Sequence, residues 1–196
     1  MNRFENPLKQ FMTQQALNLV GKQLGFSNGI PPQIIGLASN LLFSGMAKNV
    51  QSSSGADSLF NALNKDHANS GVLEKLLDFI PNARNGSGAG ILGHVLGNRL
   101  DGVVTMFSQA TGLKPQQAKQ LLVIIAPIAL AYMAKRMKQL RMNKRELAYD
   151  VRDHYFAPGT TKPRADKGLL MKMLDQDGDG QVVDDAVNIL RKIAMQ

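Results

Sequence analysis

The stretch Leu121-Leu122-Val123-Ile124-Ile125-Ala126-Pro127-Ile128-Ala129-Leu130-Ala131-Tyr132-Met133-Ala134 is the longest apolar run in the chain, and it decides the fold. Its 14 residues, interrupted by Pro127, are fewer than the roughly 20 that a transmembrane helix needs. A buried core helix from residue 116 to about residue 142 fits the run better. Because such a helix is apolar nearly all round, it needs neighbouring helices on every side.

The chain before this run also has the start and stop signals of helices, and no segment alternates with the period of two that strands show. Asn6-Pro7 predicts the start of a helix over residues 7–24, and Pro31-Pro32 opens a second. Asp57 and Ser70 are candidate caps for two shorter helices. These signals predict an all-α protein.

A second group of helices comes after residues 82–90, which are rich in Asn, Gly and Ser and predict a flexible connector. Residues 91–109 predict a helix that is dotted with glycines and broken near Gly97 or Gly102. The core helix comes next. The division of the chain into a part before the connector and a part after it suggests two halves.

The two halves resemble each other in sequence. Phe26-Ser27 leads through a turn to Pro32-Gln33 in the first half, and Phe107-Ser108 leads in the same way to Pro115-Gln116 in the second. Chance matching of prolines at helix starts is the alternative explanation. The repeat predicts a helical bundle built from two related halves. A C-terminal helix-loop-helix metal-binding hairpin is predicted to follow this bundle.

The hairpin prediction rests on the segment Asp175-Gln176-Asp177-Gly178-Asp179-Gly180-Gln181-Val182. Carboxylates at alternate positions are the ligands by which a short loop wraps a hard cation, and a glycine takes the sharp turn that a Cβ obstructs. Asp175, Asp177 and Asp179 would bind through side-chain oxygens and Gln181 through its backbone carbonyl. The pattern predicts a calcium site, with Mg²⁺ as the alternative occupant.

The loop departs from a standard EF-hand at its twelfth position, which is Ala186 instead of the bidentate Glu. Asp185 is the favoured substitute ligand and Asp184 the alternative. A plain Asp/Gly turn that caps a helix would also place acidic side chains here. However, a cap requires one carboxylate, whereas this loop would hold three repelling ones together without a cation.

Positive charge is concentrated just after the core helix. Residues 135–152 contain seven basic residues against Glu146 and Asp150, a net +5 of the chain's formal +8. Three interpretations are open: a solvated helix face, a surface for an acidic protein partner or for self-association, and a site for nucleic acid or anionic membrane. The basic residues are Lys135, Arg136, Lys138, Arg141, Lys144, Arg145 and Arg152.

Composition limits the remaining function classes. The chain has 196 residues, is 44% hydrophobic and 19% charged, and can bury one sizeable core. The absence of cysteine excludes disulfides, thiol catalysis and Cys-ligated zinc. No apolar segment of a signal peptide comes after Met1, so the expected compartment is the cytoplasm. No catalytic constellation is evident, and we expect a protein that is not an enzyme.

Several of these segments together resemble the bacterial YidB-like family of unknown function. The resemblance covers about residues 26–136 and 168–190, and it implies an all-helical bacterial domain with a calcium-like Asp/Gly tail but no activity. Residues 137–166 look like an addition. The segments that carry the resemblance are Ile30-Pro31-Pro32-Gln33, Leu41-Leu42, Gly45-Met46-Ala47-Lys48-Asn49, Gly55-Ala56, Leu59, Ala62-Leu63, Ile91-Leu92-Gly93-His94-Val95-Leu96-Gly97, residues 112–134, Asp175 to Gly180 and Asp184-Asp185.

The expected organisation is therefore a helical domain over residues 1–136, a basic helix extension and linker over 137–165, and a calcium hairpin over 166–196. Within the first domain, the halves are residues 26–81 and 91–136. The expected function is that of a calcium-binding structural or interaction protein, with a protein partner or self-association. The alternatives are a self-assembling scaffold with incidental metal binding, and a basic module that binds nucleic acid or membrane. No small-molecule substrate is evident.

Overall fold

The computed structural model describes residues 8–65 and 71–155, and every regular element in these two ranges is helical. This confirms the predicted all-α class for the described part of the chain. Two 3₁₀ turns lie at Ala83–Asn85 and Gly97–Arg99. The α-helices are α1 (Gln14–Gln23), α2 (Pro32–Asn49), α3 (Ser53–Lys65), α4 (Leu76–Asn82), α5 (Gly88–Leu96), α6 (Leu100–Thr111), α7 (Pro115–Gln139) and α8 (Lys144–Tyr155).

Helix α7 is the centre of the bundle, as its apolar sequence predicts. It packs against α2 and α3 from the first half and against α5 and α6 from the second. Six side chains that we expected at the centre are at most 4% exposed: Leu121, Leu122, Ile124, Ile125, Ile128 and Leu130. Each fully buried aliphatic side chain of this kind contributes about 1.5–3 kcal/mol to folding.

Among the helices that the structure describes, α7 alone is long and apolar enough to cross a membrane by length and composition. Its most apolar window is 72% buried inside the bundle, which is what a core helix requires. The other helices thus cover the surface that a membrane span would expose to lipid.

Helices α1 and α3 begin at other residues than the sequence predicted. Helix α1 starts at Gln14, not near residue 7, because the Thr13 hydroxyl accepts a hydrogen bond from the Ala16 amide at 3.3 Å. Helix α3 starts at Ser53, where the Ser52 hydroxyl accepts from the Gly55 amide at 3.0 Å. Serine and threonine hydroxyls are good helix caps. The prediction that Asp57 caps this helix is therefore wrong.

The segment between the halves has more regular structure than a flexible connector would. Residues 82–90 include the end of α4, a 3₁₀ turn and the first turn of α5. Ala83 and Gly88 are buried. Gly88 allows α5 to approach α7 closely, since a Cβ at this position would lie 2.1 Å from the carbonyl oxygen of Val123 in α7.

The glycine-dotted helix predicted over residues 91–109 is two helices. The break lies at Gly97, one of the two expected positions, where φ is +56°. A left-handed backbone of this kind is unfavourable for residues with a Cβ. Helices α5 and α6 can therefore change direction at this break, and both pack on α7.

The chain beyond residue 136 does not continue α7 as one long helix to residue 142. Helix α7 ends at Gln139, and Arg141 has a φ of +50° in the turn after it. Asn143 and Glu146 then cap α8 reciprocally, with amide-to-side-chain distances of 2.8 and 3.1 Å. Helix α8 packs on α2 and α3, so this addition to the chain completes the bundle.

Candidate functional site

The predicted metal ligands Asp175, Asp177, Asp179, Gln181, Asp185 and the alternative Asp184 all lie outside the described residues. Within residues 8–65 and 71–155, no group of three or more His, Asp or Glu side chains could hold a metal ion. The calcium site therefore stays a prediction from the sequence.

Arg136 forms an ion pair inside the bundle. Its Nε and Nη2 atoms donate to the two carboxylate oxygens of Asp150 at 2.8 and 2.6 Å. The side chains are only 29% and 11% exposed. This paired geometry fixes both the distance and the plane of the two groups, and it fastens α8 to the last turns of α7.

Three more of the predicted basic residues have partners within the bundle. The Lys144 ammonium lies 2.5 Å from a carboxylate oxygen of Asp57 in α3. Lys135 lies 3.9 Å from Glu74 and 5.7 Å from the centre of the Phe11 ring. The guanidinium of Arg152 stacks 4.8 Å over the Tyr149 ring. With Arg136, four of the seven basic residues of residues 135–152 thus have a contact that the structure shows.

Lys138, Arg141 and Arg145 are the remaining members of the basic segment, and all three are exposed. They lie on three different elements: the last turn of α7, the turn after it and the start of α8. The segment therefore does not form one continuous helical stripe. The nucleic-acid or membrane interpretation of this segment stays a prediction from the sequence.

We expect Asp150→Asn to destabilise the protein by about 1–3 kcal/mol, because it leaves the half-buried Arg136 without its carboxylate. Lys144→Ala is the matched control. It breaks an ion pair whose side chains are 44% and 48% exposed, and exposed pairs contribute about 1 kcal/mol or less. Urea unfolding measures the free energy of unfolding of both variants. Equal effects of the two substitutions would contradict the assignment of Arg136 and Asp150 as the anchor of α8.

Two segments that carry the family resemblance meet where α2 crosses α5. A Cβ on Gly45 would lie 2.9 Å from side-chain atoms of both Val95 and Leu96. The side-chain amide of Asn49 donates to the carbonyls of His94 and Val95 at 2.9 and 3.1 Å. Asn49 thus caps the C-terminal end of α5 across the halves, which gives this residue a structural role that its sequence position did not reveal.

The second half also caps the end of α1. The side-chain amide of Gln117 donates to the Leu24 carbonyl at 2.8 Å, and that of Gln120 donates to the Gln23 carbonyl at 2.7 Å. The guanidinium of Arg84 donates to the Gln23 carbonyl as well. The C-terminal end of α1 and the N-terminal end of α7 consequently lie together at one end of the bundle.

A cleft of about 210 Å³ opens at this end of the bundle. It lies between the turn before α2 and the turn before α7, the two proline-led helix starts of the sequence repeat. Sequence reasoning did not find it, although the repeat marks both of its walls. Its lining residues are Phe26, Gly29, Ile30, Pro31 and Ile34 on one side and Thr111, Gly112 and Leu113 on the other.

Comparison with known proteins gives a family and no activity. No curated protein and no solved structure matches the chain. A family model described as "Bacterial protein of unknown function (DUF937)" matches residues 6–136, which hold α1 to α7 up to the last turn of α7. The chain therefore belongs to this bacterial family of unknown function, DUF937.

Proposed function

We propose that this chain is a YidB-like, non-enzymatic calcium-binding protein with a structural or interaction role. In this proposal the metal orders residues 166–196 as a hairpin against the helical bundle or against a partner subunit. The observation that carries it is the alternation of Asp175, Asp177 and Asp179 ending at Gly180. Such closely spaced carboxylates repel one another unless a cation neutralises them.

The distribution of charge along the chain supports the hairpin's attachment to the bundle. Nineteen of the 23 Lys and Arg residues but only nine of the 15 Asp and Glu residues precede residue 166, a net charge of +10. Residues 175–185 contain five Asp and no basic residue. Opposite charges on the two parts favour their association.

The expected ion is Ca²⁺, with Mg²⁺ as its competitor in the cytoplasm. Mg²⁺ demands near-ideal octahedral geometry and gives up its water reluctantly, whereas Ca²⁺ accepts six to eight oxygens in a flexible arrangement. A loop with Asp185 in place of the bidentate Glu fits the flexible ion better. Titration of the full chain with each metal separates the two.

We expect the full chain to melt at a higher temperature in Ca²⁺ than in chelator. A ligand that binds only the native state stabilises it by about 2.7 kcal/mol at one hundred times its Kd. Asp175→Ala and Asp179→Ala should each remove most of this shift, because each deletes a ligand. Gln176→Ala is the control and should keep the shift, since the second loop position points away from the ion. A calcium response that is equal in all three variants would overturn the assignment.

Light scattering in Ca²⁺ and in chelator measures the oligomeric state, which shows whether a second copy of the chain is the hairpin's partner. A monomer in both conditions excludes a second copy as the surface on which the hairpin docks. A calcium-dependent dimer places it on a second copy, and an oligomer that ignores calcium supports the self-assembling scaffold. Retention of DNA or anionic vesicles that falls with rising salt would instead support the basic module.

A further inference from the structure

The cleft between the turns before α2 and α7 is large enough to hold side chains. Its volume of about 210 Å³ is below the roughly 300–1,000 Å³ of pockets that hold small molecules. Phe26 on its wall is 37% exposed and is one of four large apolar side chains that are exposed among the described residues. A cleft of this size and lining suits the tips of one or two aliphatic side chains from another segment.

Both walls of the cleft are free of acidic residues. Residues 6–56 and 102–145, which include both walls, α1, α2, α7 and α6 beyond its first turn, contain no Asp or Glu. Exposed cations lie close by: Lys22 in the last turn of α1, Lys114 directly after the lining residue Leu113, and Lys119 in α7. The first turns of α2 and α7 have no acidic residue either, so the positive ends of two helix dipoles add to this charge.

The C-terminal segment of the same chain has the complementary features. Its five Asp over residues 175–185 outnumber the two charges of one Ca²⁺, so the loop stays negative when it is loaded. In the final predicted helix, Val187, Leu190 and Ala194 recur at the spacing that forms one apolar stripe. The helix itself carries Asp185 against Arg191 and Lys192, so the negative charge of this segment lies in the loop at the start of its apolar stripe.

The cleft is also within reach of this segment. Asp150 of α8 contacts Arg136, which lies 21 residues beyond Pro115 at the start of α7, or about 32 Å along the helix axis. The ten residues 156–165 between α8 and the predicted hairpin can span up to about 33–36 Å. A nearly extended linker can thus reach the cleft end of its own bundle.

We propose that this cleft is the docking site for the chain's own final helix, residues 185–195, and that Leu190 and its apolar neighbours enter it. The inference rests on the proposed calcium hairpin. Docking requires that the loop be ordered, so calcium controls it. The cations around the cleft face the acidic loop, which orients the hairpin as it docks.

Cysteine cross-linking tests this proposal, because the natural chain contains no cysteine. We expect the double variant Phe26→Cys/Leu190→Cys to form an intramolecular disulfide in Ca²⁺ under mild oxidation. The control is Leu140→Cys/Leu190→Cys. Leu140 is 56% exposed and lies at the opposite end of α7, nearer to the point where the tethered segment leaves α8. An undocked tail would meet it at least as often as it meets Phe26.

The rate of disulfide formation decides between the alternatives. We expect the Phe26→Cys pair to react about tenfold faster than the Leu140→Cys pair in Ca²⁺, because docking raises the effective concentration of the two thiols. Equal rates for the two pairs would overturn the proposal. Disulfide-linked dimers would overturn it as well, because the occupant of the cleft would then be a second copy of the chain.

Calcium titration of the same variants keeps this proposal separate from the proposed function. Neither Phe26 nor Leu190 is a predicted ligand, so both variants should still bind Ca²⁺, and any loss of affinity should be small beside that of Asp175→Ala. A fast Phe26→Cys cross-link that is unchanged by chelator would confirm docking and contradict control by calcium. Normal calcium binding without the cross-link would contradict the docking site and leave the calcium loop in place.

Discussion

Ile125→Asp is expected to unfold both halves of the bundle in a single transition. Ile125 lies in the middle of α7 and is completely buried. The aspartate forfeits about 1.5–3 kcal/mol of aliphatic burial and adds several kcal/mol for a charge without a partner in the core. Because native proteins are stable by only about 5–15 kcal/mol, most of the variant should be unfolded at 25 °C.

Both halves should respond because α7 contacts both. It packs on α2 and α3 before the connector and on α5 and α6 after it, and one cluster of buried apolar residues includes side chains from all of these helices. Circular dichroism during urea titration measures the effect. The control Ile125→Val keeps the apolar character and should cost only about 0.5–1.5 kcal/mol, with one cooperative transition.

A partial loss of helical signal, with the remainder melting separately, would contradict this expectation. It would show that the two halves are separable units. The cross-half hydrogen bonds argue against such a result, because Asn49 caps α5 from the first half and Gln117 and Gln120 cap α1 from the second. Separation at the connector would remove helix caps from α1 and α5 as well as apolar contacts.

The core of this fold could be predicted from local patterns. The run at residues 121–134 indicates a buried helix because it is too long for one strand and too short for a membrane span. Pro32 and Pro115 mark helix starts because a proline has no N–H to lose there, and the structure begins α2 and α7 at these residues. Gly97 marks a break because it takes a left-handed backbone.

The boundaries that the sequence did not predict depend on competition between caps or on tertiary contacts. Thr13 and Ser52 displace the expected caps by four or more residues, since several polar residues near each start could serve. Helix α8 folds back because Leu147 and Val151 bury themselves against the bundle and Arg136 meets Asp150. A charge count along the chain cannot show that an ion pair joins residues on two helices.

The calcium loop and the cleft also differ in whether the sequence could predict them. The calcium loop can be predicted because its ligands are neighbours in the sequence, and that prediction awaits its test. The cleft could not be predicted from spacing, because its walls come from turns about 80 residues apart. Only the packing of α1, α2, α6 and α7 brings Phe26 and Leu113 to one opening.

Pro127 in the middle of α7 explains why a glycine is required on a neighbouring helix. A proline has no N–H, so the carbonyl of Val123, four residues earlier, lacks its usual helical donor. The first turn of α5 approaches this carbonyl, and a Cβ on Gly88 would lie 2.1 Å from its oxygen and 3.0 Å from its carbon. The N-terminal end of α5 brings a positive dipole to the exposed oxygen.

Gly88→Ala is therefore expected to destabilise the protein by about 3 kcal/mol, at the upper end for overpacking, because the nearest obstructing atom, the Val123 carbonyl oxygen, is backbone and cannot rotate away. Gly93→Ala in the same helix is the matched control. Nothing lies within 4 Å of its added Cβ, so the gain in helix propensity should stabilise the protein by up to about 1 kcal/mol. Urea unfolding should thus give shifts of opposite sign for two identical substitutions five residues apart. If Gly88→Ala also stabilises the protein, α5 does not pack closely against α7, and the glycines at the start of α5 serve the turn alone.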